Sequence, residues 1–262
     1  MLAKVFTSVF VQIFKKIWMV ALIFSIFGLL SFGLGFLDGT LSILVPVLQI
    51  TALVLGVVMI FYSFLVCWQF FRNSFYQDQA FLYQTLPVKR SILFYGELSA
   101  FICWQIIIFA LLLCGLWIGM IDQSTRDSLI TIVHDGLPLV MGSTQNVWLL
   151  IFLFGCACFE QMICEMIAGI FGICAGYSTL KDKLGKSVII GVCSYYGLAA
   201  VMLGILFGIA KSNPKLWLLL ESNGLGEEII PLLAWLALLY LIVIGLLIGA
   251  SYFIIRKGIN ID

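Results

Sequence analysis

Apolar residues occupy this chain in six long blocks separated by short polar segments. The blocks fall at 17–37, 43–71, 92–121, 147–178, 188–210 and 229–255, and each reaches the roughly 20 helical residues that cross a bilayer. Ahead of the first block the pattern changes. Lys4, Thr7, Ser8, Gln12 and Lys15 recur at helical spacing, while Val5, Phe6, Val9, Phe10, Ile13 and Phe14 fill the other side. That spacing predicts an amphipathic helix over 1–16 lying in the membrane interface. Lys15 and Lys16 resemble the start of a signal peptide, but the run behind them is too long and lacks a small-residue cleavage site. The first block is therefore read as a retained span.

Composition narrows the class. Of 262 residues, 63% are hydrophobic and only 10% charged, and mean hydropathy is +1.17. A soluble domain carries about 25% charged residues, so a water-soluble enzyme and a disordered chain are both excluded. The expected fold is an all-α membrane protein: a single transmembrane domain over 1–262 with six transmembrane helices and an N-terminal interfacial helix. A net charge of +1 offers no field for nucleic acid. Eight cysteines are enough for disulfides or a metal site, but all lie in apolar blocks, and His134 is the only histidine. Cys156 and Cys158 have the wrong spacing for a zinc knuckle, so the thiols read as small packing groups.

Charge also orients the chain. Across six spans Lys4, Lys15, Lys16, Arg72, Lys89, Arg90, Lys181, Lys183, Lys186, Arg256 and Lys257 share one side, against Arg126, Lys211 and Lys215 on the other. A bias of eleven to three places both termini in the cytoplasm, by the excess of basic residues that inner loops carry.

Several patterns look like chemistry without being it. Gly185, Lys186 and Ser187 resemble the end of a phosphate-binding loop, but Leu180 stands where that loop needs glycine, and a span precedes it. No zinc-protease motif or glycine-flanked serine nucleophile is present, and His134 beside Asp135 reads as a solvated loop residue. The chain is not expected to be an enzyme. Five glycine pairs at a spacing of four (Gly35/Gly39, Gly115/Gly119, Gly172/Gly176, Gly204/Gly208 and Gly245/Gly249) suggest close helix packing. Glu160 and Glu165 are different, because they sit mid-block in the fourth span. A charge at the bilayer centre costs at least ~2.5–3.5 kcal/mol, so such residues face the bundle interior or a cavity. Five residues turn a helix by about 140°, so the two acids point apart. They are cavity-lining candidates, or partners of a neighbouring helix.

The longest segment on the basic side, 72–91, mixes Phe75, Tyr76, Phe81 and Tyr83 with polar residues and stops at Pro87. It predicts a short exposed helix over 75–86, either a docking surface for another protein or a helix flat on lipid headgroups.

Here the sequence resembles a family. The stretch 78–90, an acidic residue (Asp78) followed by aromatics and then Thr85, Leu86, Pro87 and Val88, is similar to the T-L-P-V segment of bacterial type-2 ABC exporter permeases. The tail with Tyr252, Ile254, Arg256 and Asn260 resembles their closing pattern, and 166–186 is similar as well. Ala80-Phe81-Leu82 stands where the family often has Gly-Tyr-Leu. The resemblance implies a half-transporter of the bacterial plasma membrane that exports amphipathic peptides or drugs. It further implies two copies of a separate cytoplasmic ATPase, which binds ATP and Mg, a second permease copy (a homodimer) and surrounding lipid, with no cofactor in this chain. Phe75, Tyr76, Asp78, Phe81, Leu82, Tyr83 and Leu86 would then form the coupling helix that seats on the ATPase. The alternative from the residues alone is an ion-coupled carrier or channel using Glu160 and Glu165.

Overall fold

The computed structural model describes residues 1–34, 44–77, 80, 88–120, 127–128, 130–131, 147–178, 183–212 and 229–257. Six helices among them are long and apolar enough to cross a membrane. They are α1 (Leu2–Leu34), α2 (Leu44–Tyr76), α3 (Arg90–Gly115, continued by a π-helical turn over Leu116–Met120), α4 (Val147–Tyr177), α5 (Lys183–Ser212) and α6 (Ile229–Lys257). The protein is an all-α, six-span membrane protein, as its periodicity indicates. Helix ends overrun several apolar blocks. α2 continues through Arg72 to Tyr76, and α5 begins at Lys183, because hydropathy ends where the hydrocarbon ends while helical hydrogen bonding continues into water.

The largest departure lies in α1. The amphipathic segment is helical, but it joins the first span in one unbroken helix of 33 residues. Buried Val9, Ile13, Ile17, Phe24, Gly28 and Ser31 form a stripe that crosses both parts, and no glycine or proline interrupts it before Gly28. A helix of that length measures about 50 Å, leaving roughly 20 Å beyond a hydrocarbon core of about 30 Å.

The helices fall into two compact units, essentially Met1–Asp127 and Ser128–Asn260. In the first, α1 packs along both α2 and α3. Val5 lies over Gly96 and Phe24 over Gly115, so α1 and α3 run in the same direction, while Phe24 against Gly56 and the Tyr62 hydroxyl donating to the Lys16 carbonyl set α2 antiparallel. Phe24 acts as a wedge. A Cβ at Gly56 would come within 3.2 Å of its ring, and one at Gly115 would overlap it. The start of α1 is fastened too: the Trp104 indole N–H donates to the Phe10 carbonyl at 3.0 Å. The indole stacks on Phe10 and Phe14 at 4.8 and 5.9 Å.

In the second unit α4 is the shared helix, packed against α5 and α6. Its seam with α5 is backbone on backbone. A Cβ at Gly172 would lie 2.6 Å from Gly191 Cα, and one at Gly176 would overlap Ser187. Gly172/Gly176 is therefore a helix-packing pair of the expected kind. Gly204/Gly208 and Gly245/Gly249 have nothing within 4 Å, while Gly35, Gly39 and the surroundings of Gly119 lie outside the described residues.

Candidate functional site

A polar group of the second unit sits midway along its helices, half-buried at Glu160, Glu165 and Tyr195 and exposed at Gln161. Glu165 lies about 27 Å along α4 from Val147 and about 18 Å from Tyr177. Tyr195, on α5, donates its hydroxyl to Glu165 Oε1 at 3.0 Å, and Gln161 Nε2 donates to the Tyr195 oxygen at 3.4 Å. Tyr240 of α6 stands within electrostatic reach of both Glu160 and Glu165. The two acids, split by helical rotation as their spacing requires, have different surroundings. Glu165 is tied to α5. Glu160 is half-buried, and its Oε2 is shut off from solvent without a hydrogen-bond partner among the described residues. A carboxylate oxygen in that state is costly unless something polar or cationic meets it.

The first unit holds buried polar groups that the sequence reading missed. Gln105 is fully buried. It exchanges hydrogen bonds with the Ser63 hydroxyl at 3.1–3.2 Å, and its amide reaches Cys67 Sγ at 3.9 Å. Glu97 is also fully buried, and neither of its carboxylate oxygens has a hydrogen-bond partner among the described residues. A signal was present: Glu97 and Gln105 are eight apart, and Ser63, Cys67 and Ser74 are spaced by four and seven. Both patterns place polar groups on one helix face inside apolar blocks.

The proposed docking aromatics divide differently. Phe75 belongs to the last turn of α2 and is buried, with its ring 4.7 Å from Phe71, which meets Phe94 edge-on at 6.2 Å. It is a core residue rather than an exposed anchor, because the apolar spacing of four from Phe71 carries the helix on through it. Tyr76 is half-buried in the same turn, and the Ala80 N–H donates to the Gln77 carbonyl at 2.7 Å. Asp78, Phe81, Leu82, Tyr83 and Leu86 lie outside the described residues, as do Thr85 and Pro87. In the tail, Tyr252 and Arg256 belong to α6, and the Lys257 ammonium sits 4.5 Å above the Phe253 ring.

All eight cysteines are free thiols, three of them buried. Among the described residues no three histidine, cysteine or acidic side chains gather as metal ligands would. No family model, curated protein or solved structure matches the chain, so any functional reading rests on the residues themselves.

Proposed function

We propose that this chain is the permease subunit of an ATP-driven ABC exporter in a bacterial plasma membrane, moving amphipathic cargo, peptides foremost, out of the cell. Two cytoplasmic ATPase subunits bind ATP and Mg and drive a pair of permeases, and both termini face the cytoplasm. The observation that carries the reading is the segment between α2 and α3. It leaves α2 beside Arg72 and enters α3 at Lys89 and Arg90, on the basic side, and it carries Phe81, Tyr83 and the Thr85–Leu86–Pro87–Val88 run. Its roots are firm. Phe71 of α2 meets Phe94 of α3 edge-on at 6.2 Å and is backed by Phe75, which gives a push on the segment a path into the bundle. Within this reading Glu160 lines the cargo path and meets cationic groups of an amphipathic peptide, whereas Glu165 holds α4 to α5.

The rival reading, an ion-coupled carrier, draws on the unpartnered Glu160 oxygen. Co-purification separates the two. The permease should retain an ATPase encoded beside it. Phe81→Ala or Tyr83→Ala should weaken that retention by the ~2 kcal/mol or more typical of a buried aromatic anchor, and Gln84→Ala much less. A permease that retains no ATPase contradicts the proposal.

A further inference from the structure

One exposed face of α1 changes character along its length. Lys4, Ser8, Gln12 and Lys15 step by three or four residues, and Met19, Leu22, Ile26 and Leu30 continue the same row, all of them exposed. The opposite face stays buried on both sides of the change, at Val9, Ile13, Ile17, Phe24 and Gly28. Packing against α2 and α3 therefore does not account for the switch. It falls at Lys16. From there residues 17–34 run about 27 Å, close to a hydrocarbon core of about 30 Å. Trp18 is exposed beside it, and the Tyr62 hydroxyl donates to the Lys16 carbonyl at 3.4 Å. Tryptophan and tyrosine at one level are the usual mark of a membrane–water interface. Beyond Tyr62, α2 buries Phe64, Cys67, Phe70 and Phe71, so its apolar run there serves packing and does not need lipid.

The polar half is equipped for an anion. Lys4, Lys15 and Lys16 are exposed, and none meets an acidic side chain among the described residues. Gln12 Nε2 donates to Ser8 Oγ at 3.4 Å, which leaves the Ser8 hydroxyl and the second Gln12 amide hydrogen to donate outward. A depression of about 580 Å³, within the size range of small-ligand clefts, is lined by Ala3, Lys4, Thr7, Ser8, Val11 and Gln12. Helical side chains lean toward the N-terminus, so Lys15 and Lys16 extend toward it. On the other side, half a hydrocarbon core is about 15 Å, or roughly ten residues of helix. An acyl chain starting at Lys16 thus runs along exposed Met19, Leu22, Ile23 and Ile26. We propose that this face of α1 binds an anionic phospholipid, its phosphate held by Lys15 and Lys16 with Gln12 and Ser8, its chains on the apolar row. The same lysines repel a cationic peptide. The site stands apart from the exporter reading, and only the leaflet it faces follows from the orientation.

The test is photocrosslinking of the full-length protein in nanodiscs, with a benzophenone amino acid replacing exposed Met19. The bilayer is phosphatidylcholine with a rising fraction of phosphatidylglycerol, and the adduct with each lipid is counted. Phosphatidylglycerol should saturate the site at a fraction well below its share of the bilayer, and millimolar inorganic phosphate should not compete, because it lacks the chains. Lys15→Gln or Lys16→Gln should each raise the half-saturating fraction about fivefold, and the pair about 25-fold, the effect of losing one or two lysines at an anionic surface. Lys15→Arg keeps the charge and should stay within about twofold of wild type. Lys257→Gln, on α6, should change nothing. Phosphatidylglycerol crosslinked only in proportion to its abundance overturns the proposal, as does an unchanged half-saturating fraction in the double variant. A benzophenone adduct with a second protein chain in place of lipid overturns it too, and assigns the face to protein contact.

Discussion

The Tyr195 hydroxyl donates to Glu165 Oε1 at 3.0 Å, which fastens the middle of α5 to the middle of α4. That bond gives one of the two mid-span acids a structural task and leaves the other without one. Interhelical hydrogen bonds in membranes average about 0.6 kcal/mol and reach about 1.7. Tyr195→Phe should therefore destabilise the protein by ~0.5–2 kcal/mol in controlled detergent unfolding. A double-mutant cycle with Glu165→Leu, which cannot accept the hydroxyl, should show the two changes to be less than additive. Full additivity would mean that the bond contributes nothing.

Glu160 should behave in the opposite way. Glu160→Gln keeps size and polarity but removes the charge, so unfolding should change little while transport or its cargo preference shifts. Glu160→Gln with wild-type transport of every cationic cargo tested would remove Glu160 from the path.

Glycine pairs should differ according to what faces them. Gly176→Ala puts a methyl into the Ser187 backbone, and Gly172→Ala into Gly191. Backbone cannot rotate away as a side chain can, so each should cost ~1–3 kcal/mol, the usual range for overpacking, and lower the yield of monodisperse protein. Gly204→Ala and Gly208→Ala, with open space around them, should be close to neutral in both detergent unfolding and yield.

What could be read from the sequence, and what could not, follows from the physics of each signal. Six spans were legible because a hydrocarbon slab imposes a minimum apolar length on every crossing helix. The course of the first 16 residues was not. An amphipathic period says that one face is apolar, but it does not say whether that face meets lipid or protein. Here it meets α3, through Val5 on Gly96 and Phe10 on Trp104. Phe75 was misassigned for a related reason: an aromatic near a polar segment carries no mark of whether a neighbouring ring, here Phe71, already covers it. Glu165 and Glu160 were found as mid-span acids, but their different surroundings depend on Tyr195, which is 30 residues away from Glu165 in sequence.

Trp104 tests the continuity of α1. Its indole holds Phe10 by a hydrogen bond and by stacking. Trp104→Ala should speed amide hydrogen exchange over residues 2–14 while leaving the rest of α1 protected. An interfacial helix lying on lipid, independent of α3, would show no such change.

The proposed orientation rests on the basic bias. A cysteine replacing exposed Ser212, at the end of α5, should react with an impermeant thiol reagent on intact cells, in a background lacking Cys114 and Cys193. One replacing Gln77 should react only after the membrane is opened. Labelling of Gln77→Cys from outside would reverse the topology and move the 77–89 segment away from any cytoplasmic ATPase.

The most direct test of the exporter account is transport by purified components. Permease and ATPase are reconstituted in proteoliposomes with a fluorescent cationic amphipathic peptide, with either ATP or an imposed proton or sodium gradient as the only energy source. The account predicts peptide movement with ATP and Mg that is lost when a non-hydrolysable analogue replaces ATP or when the ATPase is omitted. Movement driven by the ion gradient through permease alone would contradict it and establish the carrier reading.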